Sequence, residues 1–438
     1  MTDQPRGRHL VSADRAFATG GGVVSRLLAG SFRAVLDRTV LDRIDAGLEQ
    51  GAVALTLPDG RTRRLGGRGA GPEAVVRLAS WNALARLAAS GSVGWYKAWA
   101  LGEWSSPDPV PLFDLFVRNG ESLGNTARAK GLFRLVNRLA HRLRGNRKAR
   151  VRENIAHHYD LGNDFYRLWL DSSMTYSSAV FAEPAAAGET LESAQERKLR
   201  LLLDRLDLKP GDRLLDIGCG WGSLAEMAAR DYGANVVGLT LSEEQKAFAE
   251  ARMAKAGLSD WVEVRLEDYR DIAGRFDAVA SVEMAEAVGQ DYWPAYLGAI
   301  ARALKPGGRA GLQFISIRDA LFEAYAANAD FIQTYVFPGG MLIEEGRFAA
   351  LAAAAGLEWR DRAGYGPDYA ETLKRWRLRY DEAVGEGRLP AGFDEAFHRL
   401  WLYYLMYCEG GFRGGGIDVA QVTLVKAQPF SAMAPGGL

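Results

Sequence analysis

The chain has 438 residues, with 54 Lys+Arg against 54 Asp+Glu, 48% hydrophobic and 25% charged positions. This is a globular composition with room for two to three domains, which excludes a disordered chain, a collagen-like repeat and a small disulfide scaffold. A net charge of zero gives no general attraction to nucleic acid, although it leaves room for a local basic patch. Only two cysteines (Cys219, Cys408), a polar start (MTDQPRGRH) and no apolar run near the ~20 residues that span a bilayer set the expectation of a cytoplasmic protein with at most peripheral membrane contact.

Residues 1–22, polar and glycine-rich at ATGGG, read as a flexible N-terminus. Residues 23–125 read as a small α+β domain with a helical stretch, a hairpin in AVALTLPDGRTRRLGG that turns at Asp59-Gly60, and helical segments that end at GEWSSPDP. Between 126 and 152 the chain carries ten Lys/Arg and no acid, with Leu132, Leu135, Leu139 and Leu143 at near-helical spacing. That pattern predicts a basic amphipathic helix, either a contact with an anionic membrane surface or a solvated connector. From 153 to 428 strands and helices alternate: RLLDIG, a helix from Ser223 to Asp231, NVVGLTL, a helix from Glu243 to Ala256, VEVRLED and FDAVASVEM. The alternation predicts an α/β domain, a mainly parallel sheet with helices on both faces. Residues 429–438 read as a flexible tail.

LLDIGCGWG (214–222) sets an apolar strand before Asp216 and then Gly218, Gly220 and Gly222 before a helix. Glycines at such a turn let the backbone take positive φ and approach a ligand, although a ligand-free tight turn has the same pattern. A dinucleotide fingerprint would read GxGxxG/A; here Trp221 stands where a diphosphate would lie, which favours S-adenosylmethionine over NAD. Thr240, Ser242 and Gln245 follow the second strand, and Asp268 and Tyr269 follow the third. Ligands in such sheets bind beyond the carboxyl ends of the strands, so these side chains are expected to hold the cofactor.

HYDLGNDFYRLWLDSSMTYSSAVF (158–181), LLDIGCGWG, GLTLSEEQ, FDAVASVEMAEAVG (276–289), LKPGG, YVFPGGML (335–342), YGPDYAETL (365–373) and GFRGGGID (411–418) together resemble the cyclopropane-fatty-acyl-phospholipid synthases and mycolic-acid cyclopropane synthases, from about Gly94 to Val425. The resemblance implies a Rossmann-like, S-adenosylmethionine-dependent methyltransferase domain that attacks the double bond of an unsaturated phospholipid acyl chain and forms a cyclopropane. It also implies a preceding domain that engages lipid. A methyl-branched or methylene product, methylation of another small molecule, and non-catalytic lipid binding are the alternatives. Carried over by position, Tyr176, Ser177, Gly218, Gly220, Thr240, Ser242, Gln245 and Tyr269 match cofactor contacts. Glu286, Tyr369 and the Ile315 backbone match holders of a bicarbonate ion that serves as base. Ser178 stands where many members have Cys, Gln313 where they have His, and Ala287 where His is frequent; the first two remain polar and are kept as catalytic candidates.

Methylation of an alkene passes through a carbocation, which needs a dry site and tolerates aromatic faces. Phe165, Tyr166, Tyr176, Phe181, Tyr335 and Phe337 are candidates for an acyl tunnel, with plain core aromatics as the alternative. His157 and His158 lack companion ligands and read as capping residues, so no metal is expected. Glu283 and Glu286, three apart, would share a helical face with one of them free to meet solvent. Cys219 and Cys408 read as small buried residues. Unsaturated phospholipid acyl chains and the anionic inner membrane surface are the expected partners, nucleic acid is not, and a homodimer is left open.

Overall fold

The computed structural model describes residues 6–12, 37–124, 161–182, 188–327 and 330–428. The basic segment 126–152, the tail 429–438, and His157 and His158 lie outside the described residues. Contrary to the expectation of a flexible start, residues 6–12 are docked: Arg6 pairs with Asp164, and Gly7 packs on Phe397.

The smaller of two sheets has the order β2-β1-β3-β4. Strands β1 (Gln50–Thr56) and β2 (Thr62–Gly66) form the expected hairpin, with Gly60 at φ +85° in its turn. Strand β3 (Gly69–Leu78) runs parallel to β1, and β4 (Trp104–Ser105) pairs with the end of β3. The sequence reading runs from the hairpin straight into helical segments; pairing with β1 instead makes residues 69–78 a strand, with Ala74, Val76 and Leu78 alternating inward. Helices α1 (Asn82–Ala100), broken at Gly91, and α2 (Val110–Arg118) cover this sheet. Trp104 stacks on Trp95 at 4.4 Å and donates its Nε1–H to the Trp95 carbonyl at 2.9 Å, which ties β4 to α1.

The larger sheet has the order β10-β11-β9-β8-β5-β6-β7. Strands β5 (Arg213–Ile217), β6 (Asn235–Thr240), β7 (Val262–Leu266), β8 (Phe276–Val282) and β9 (Leu304–Ile317) are parallel. Strand β11 (Ile417–Lys426) inserts antiparallel between β9 and β10 (Leu357–Gly364). Adjacent residues feed opposite cores, as a two-residue period requires. Leu214, Val236 and Ala278 meet α3 (Leu191–Asp204), α4 (Ser223–Tyr232) and α5 (Glu243–Ala256). Leu215, Val237 and Val279 meet α6 (Trp293–Ala303) and α7 (Glu345–Ala354).

The last two helices, α8 (Gly366–Gly385) and α9 (Glu395–Arg413), pack on one another, and α9 also packs on α2. The approach of α2 is close: a Cβ at Gly410 would lie 2.4 Å from Phe113 Cβ. The Tyr96 ring of α1 sits 4.8 Å from Phe331 and 5.1 Å from Tyr403. The small sheet domain and the large one therefore share a single aromatic core, and helices of the small domain become walls of the site in the large one.

Candidate active site

The site begins where β5 ends. Gly218, Gly220 and Gly222 take φ of +82°, +54° and +85°, a path that turns the chain sharply into α4. A Cβ built on Gly220 meets no protein atom within 4 Å, so this stretch of backbone borders open space. Trp221 also borders this space and donates its indole N–H to Asn163 Oδ1 at 2.6 Å. At the β6 tip Thr240 Oγ1 donates to Gln245 Oε1 at 2.8 Å, while Ser242 Oγ accepts the Gln245 N–H at 3.2 Å and so caps α5. Beyond β7, Arg270 pairs with Asp268 at 2.5 Å, and the Tyr269 ring stands edge-on to Tyr296.

These strand tips open on one cavity of about 590 Å³. Tyr176, Ser177, Asp216, Gly218, Gly220, Thr240, Gln245, Asp268, Tyr269, Glu286, Ile315 and Tyr369 all line it. Ser178, Ser242 and Gln313 do not. Ser242 is occupied as a helix cap, and the Ser178 hydroxyl donates to the Ala179 carbonyl at 2.9 Å, away from the cavity. Away from the strand tips the lining turns apolar, with Leu87, Trp95 and Phe116 from the small domain facing Leu321, Val336 and Phe337. Of the six aromatics expected in an acyl tunnel, Tyr176 and Phe337 line the cavity. Phe165, Tyr166, Phe181 and Tyr335 are buried outside its lining; Phe165, for instance, packs on Phe393 and Phe397 at 4.9 and 5.4 Å.

Where the polar and apolar parts meet stand two half-buried carboxylates, Glu283 and Glu286, both lining the cavity. Glu283 is not helical: it follows β8 at φ +49°, its N–H donating to the Gln313 carbonyl at 2.7 Å. Its carboxylate accepts from Tyr369 Oη at 2.7 Å, from the Ser178 N–H at 2.8 Å and from Gln313 Nε2 at 2.8 Å. Three bonds hold a non-glycine residue in a left-handed conformation that costs on the order of 1–3 kcal/mol elsewhere. Glu286, on the short helix Ala285–Val288, accepts the Ile315 N–H through Oε1, and among the described residues no donor reaches its Oε2.

Burial raises both carboxyls. The Glu286 carboxyl is pushed up to about 8 by desolvation and then by the charge of Glu283. Glu283 is also raised by desolvation, against the pull of Lys198 and its three donors. The better-solvated partner of the pair is therefore Glu283, and it is the one ionised when a single charge is present. Lys198 on α3 is fully buried, donates from Nζ to Ser177 Oγ at 2.5 Å, and is lowered to about 8 by desolvation, with Glu283, Asp171 and Asp216 opposing the shift. Asp216 is raised to about 7 by desolvation, less the pull of Lys198, and its Oδ2 has no donor among the described residues.

Comparison with known proteins places the chain. Residues 146–422 match the family model described as mycolic acid cyclopropane synthetase. The chain belongs to that family. It is 39% identical over 360 residues to the tuberculostearic acid methyltransferase UfaA1 of Mycobacterium tuberculosis, covering 78% of this chain and 81% of that one. It is 34% identical over 352 residues to the cyclopropane-fatty-acyl-phospholipid synthase of Escherichia coli, covering 80% and 87%. Among solved structures it resembles the cyclopropane synthase CmaA1 in complex with SAH and CTAB, with a TM-score of 0.58 and 32% identity over 63% of this chain and 98% of that one.

The chain is thus an S-adenosylmethionine-dependent methyltransferase of fatty acyl chains, by methylation or cyclopropanation. Its residues fit the cofactor: the Gly220 backbone borders open space, and Asp216 has a buried carboxylate oxygen in need of a donor. They fit the bicarbonate implied by resemblance less well. Tyr369 and the Ile315 N–H are already bonded to Glu283 and Glu286, so an added anion would have to displace a resident carboxylate from each. Sequence reasoning left Glu283 and Lys198 out of the site. The position of Glu283 at a strand tip was the one available signal, and nothing in the ERKLRLLLD helix marks Lys198 as buried.

Proposed function

We propose that the chain acts on the double bond of an unsaturated acyl chain carried by a membrane phospholipid. The observation that carries this reading is the continuity of the cavity, which joins the glycine loop to an apolar chamber with Glu283, Glu286 and Tyr369 at the junction. When bound, S-adenosylmethionine supplies an electrophilic methyl group. The glycine loop and the tips at Thr240, Gln245, Asp268 and Tyr269 would hold it, with Tyr176 and Ser177 closing over it.

The rest of the chemistry falls to side chains. The alkene π electrons form the new carbon–carbon bond and leave a cation on the neighbouring carbon. The apolar walls keep water from that cation, and ring faces such as Tyr176 and Phe337 stabilise it. Glu283, ionised and held by three donors, takes the proton that must leave. Loss of a proton from the new methyl, with the C–H electrons closing on the cation, gives a cyclopropane and a protonated Glu283; this is the first reading of the product. A second reading, a methyl-branched or methylene chain, is favoured by the same hydrogen bonds. They lower the basicity of Glu283 and slow proton removal, which leaves time for a hydride to move from the methylated carbon to its cationic neighbour. Loss of a proton to Glu283 from the added methyl then gives a methylene chain, and loss from an adjacent chain carbon gives a methyl-branched alkene.

Vesicles of unsaturated phospholipid, incubated with the protein and a methyl-deuterated cofactor, test both. Two deuteriums retained in the added carbon mean a ring or a methylene, told apart by proton NMR; three mean a methyl branch. No modified lipid, from protein that binds the cofactor, would overturn the proposal. Such a substrate requires a protein at the membrane, here assigned to the inner surface on the cytoplasmic side. At ~1 kcal/mol per basic residue near an anionic surface, a few side chains of the 126–152 segment suffice for salt-sensitive attachment. Replacing Arg138, Arg142, Arg144 and Arg147 by Gln should weaken vesicle sedimentation at low salt; equal binding would make the segment a connector.

A further inference from the structure

We infer that Gln421 is a positioning residue which, acting through Gln313, keeps Glu283 in the ionised, proton-accepting form. The inference rests on the assignment of Glu283 as proton acceptor. Gln421 on β11 stands directly opposite Gln313 on β9, and the two are 0% and 2% exposed, so each amide must find its partners within the protein.

The polarity of this pair is set from the far side. Gln421 Nε2 donates to the Lys198 carbonyl at 3.1 Å, and its Oε1 accepts from Arg205 Nε at 3.3 Å. A carbonyl can only accept and a guanidinium can only donate, so the Gln421 amide has one satisfied orientation. That orientation aims Nε2 also at Gln313 Oε1, 3.0 Å away. The Gln313 amide is thereby turned so that its Nε2 donates to Glu283 Oε1 at 2.8 Å and to the Ser178 carbonyl at 3.3 Å. A flipped Gln313 would set two NH2 groups against each other and its own carbonyl against Glu283, a contact that only a protonated Glu283 satisfies.

The relay therefore transmits the fixed donor character of Arg205, across two strands of the sheet, to the base. The other charged and titratable groups facing Glu283 are Lys198 from α3, Tyr369 from α8 and Glu286 from the short helix. Lys198 and Tyr369 favour the carboxylate and Glu286 opposes it, and none of the three orients Gln313.

The test is the pH dependence of turnover for Gln421→Met in the full chain, at saturating cofactor and unsaturated phospholipid vesicles. Without the relay Glu283 holds its proton more tightly, so the acid limb of kcat should move upward by about one unit, with activity recovering at high pH and cofactor affinity unchanged. A loss equal at every pH, or an unmoved limb, would overturn the inference. If Gln421→Met does not fold, Arg205→Met breaks the same relay at its partly exposed end and should shift the limb in the same direction by less; an unmoved limb there has the same consequence. An inactive Glu283→Gln beside an unmoved Gln421→Met profile removes the relay alone, whereas a fully active Glu283→Gln removes the base on which it rests.

Discussion

Replacing Glu283 by Gln isolates the proton-removal step, because the amide can occupy the place of the carboxylate with little rearrangement. Its Oε1 can keep the bonds from the Ser178 N–H and Gln313, both at 2.8 Å, while Nε2 donates to Tyr369 Oη, 2.7 Å away, which accepts once its own proton rotates out. The displaced Tyr369 O–H turns toward the cavity that the ring lines, and the backbone donors keep their acceptor, so the fold should persist. Its stability should not fall at neutral pH. Burial raises the Glu283 carboxyl, so the folded state holds that proton more tightly than the unfolded chain does. The associated stability is complete below the ordinary range near pH 4 and is lost as pH rises through the folded value, so above it the neutral amide is at least as stable as the carboxylate. Turnover should fall by about 10²–10⁴, the usual worth of a positioned general base, which is roughly 3–5 kcal/mol of barrier. Cofactor affinity by calorimetry should stay within about threefold, since the residue acts after binding. Lipid product quantified by mass spectrometry in single-turnover reactions provides the rate. A folded variant with turnover near wild type would show that the proton leaves by another route.

Gly220→Ala should cost about 1–2 kcal/mol of stability for a side chain at φ +54°, and should abolish cofactor binding in calorimetry because the new methyl enters space that the protein leaves open. Unchanged affinity would remove this loop from the cofactor site. Asp216→Asn should raise the melting temperature of cofactor-free protein at pH 8 but not at pH 5. The folded carboxyl, pushed up to about 7, is protonated at the lower pH and ionised at the higher, where the buried charge costs stability. The same variant should bind the cofactor more weakly; a pH-independent change in melting temperature would contradict the assignment. Gly410→Ala would put a methyl 2.4 Å from Phe113 Cβ and 2.8 Å from the Val110 carbonyl, so α2 must shift on α9. Overpacking of that kind costs about 1–3 kcal/mol, and lipid turnover should fall more than cofactor affinity because the small domain walls the apolar chamber. Equal loss of both would show that the two domains do not divide the site in this way.

Much of the catalytic domain was legible in the chain because its signals are local. Unbroken apolar runs such as Leu214-Leu215, Val236-Val237 and Ala278-Val279 mark strands buried on both faces, and the Asp59-Gly60 turn marks the first hairpin. The glycine loop requires positive φ wherever it occurs, so it announces a close backbone approach before any fold is known. Resemblance then singled out Glu286, Tyr369 and Ile315, all of which line the cavity. The tunnel aromatics were only partly legible: apolar rings suit a core and a lipid chamber equally well, and packing alone sends Phe165 to one and Phe337 to the other.

What the sequence determined by itself is the order of the strands along the chain, the glycine turn and the identity of the residues at the strand tips, all consequences of neighbours within a few positions. Only the tertiary structure decided that β3 is a strand, that α1 and α2 wall the chamber, and that Glu283, Lys198, Gln313 and Gln421 meet beneath it. These residues are brought together by strand insertion and helix docking across more than two hundred positions. The protonation of a buried carboxylate depends on which donors and charges surround it in space. No local pattern records those neighbours, and Glu283 becomes a base only where Tyr369, Ser178 and Gln313 converge on it.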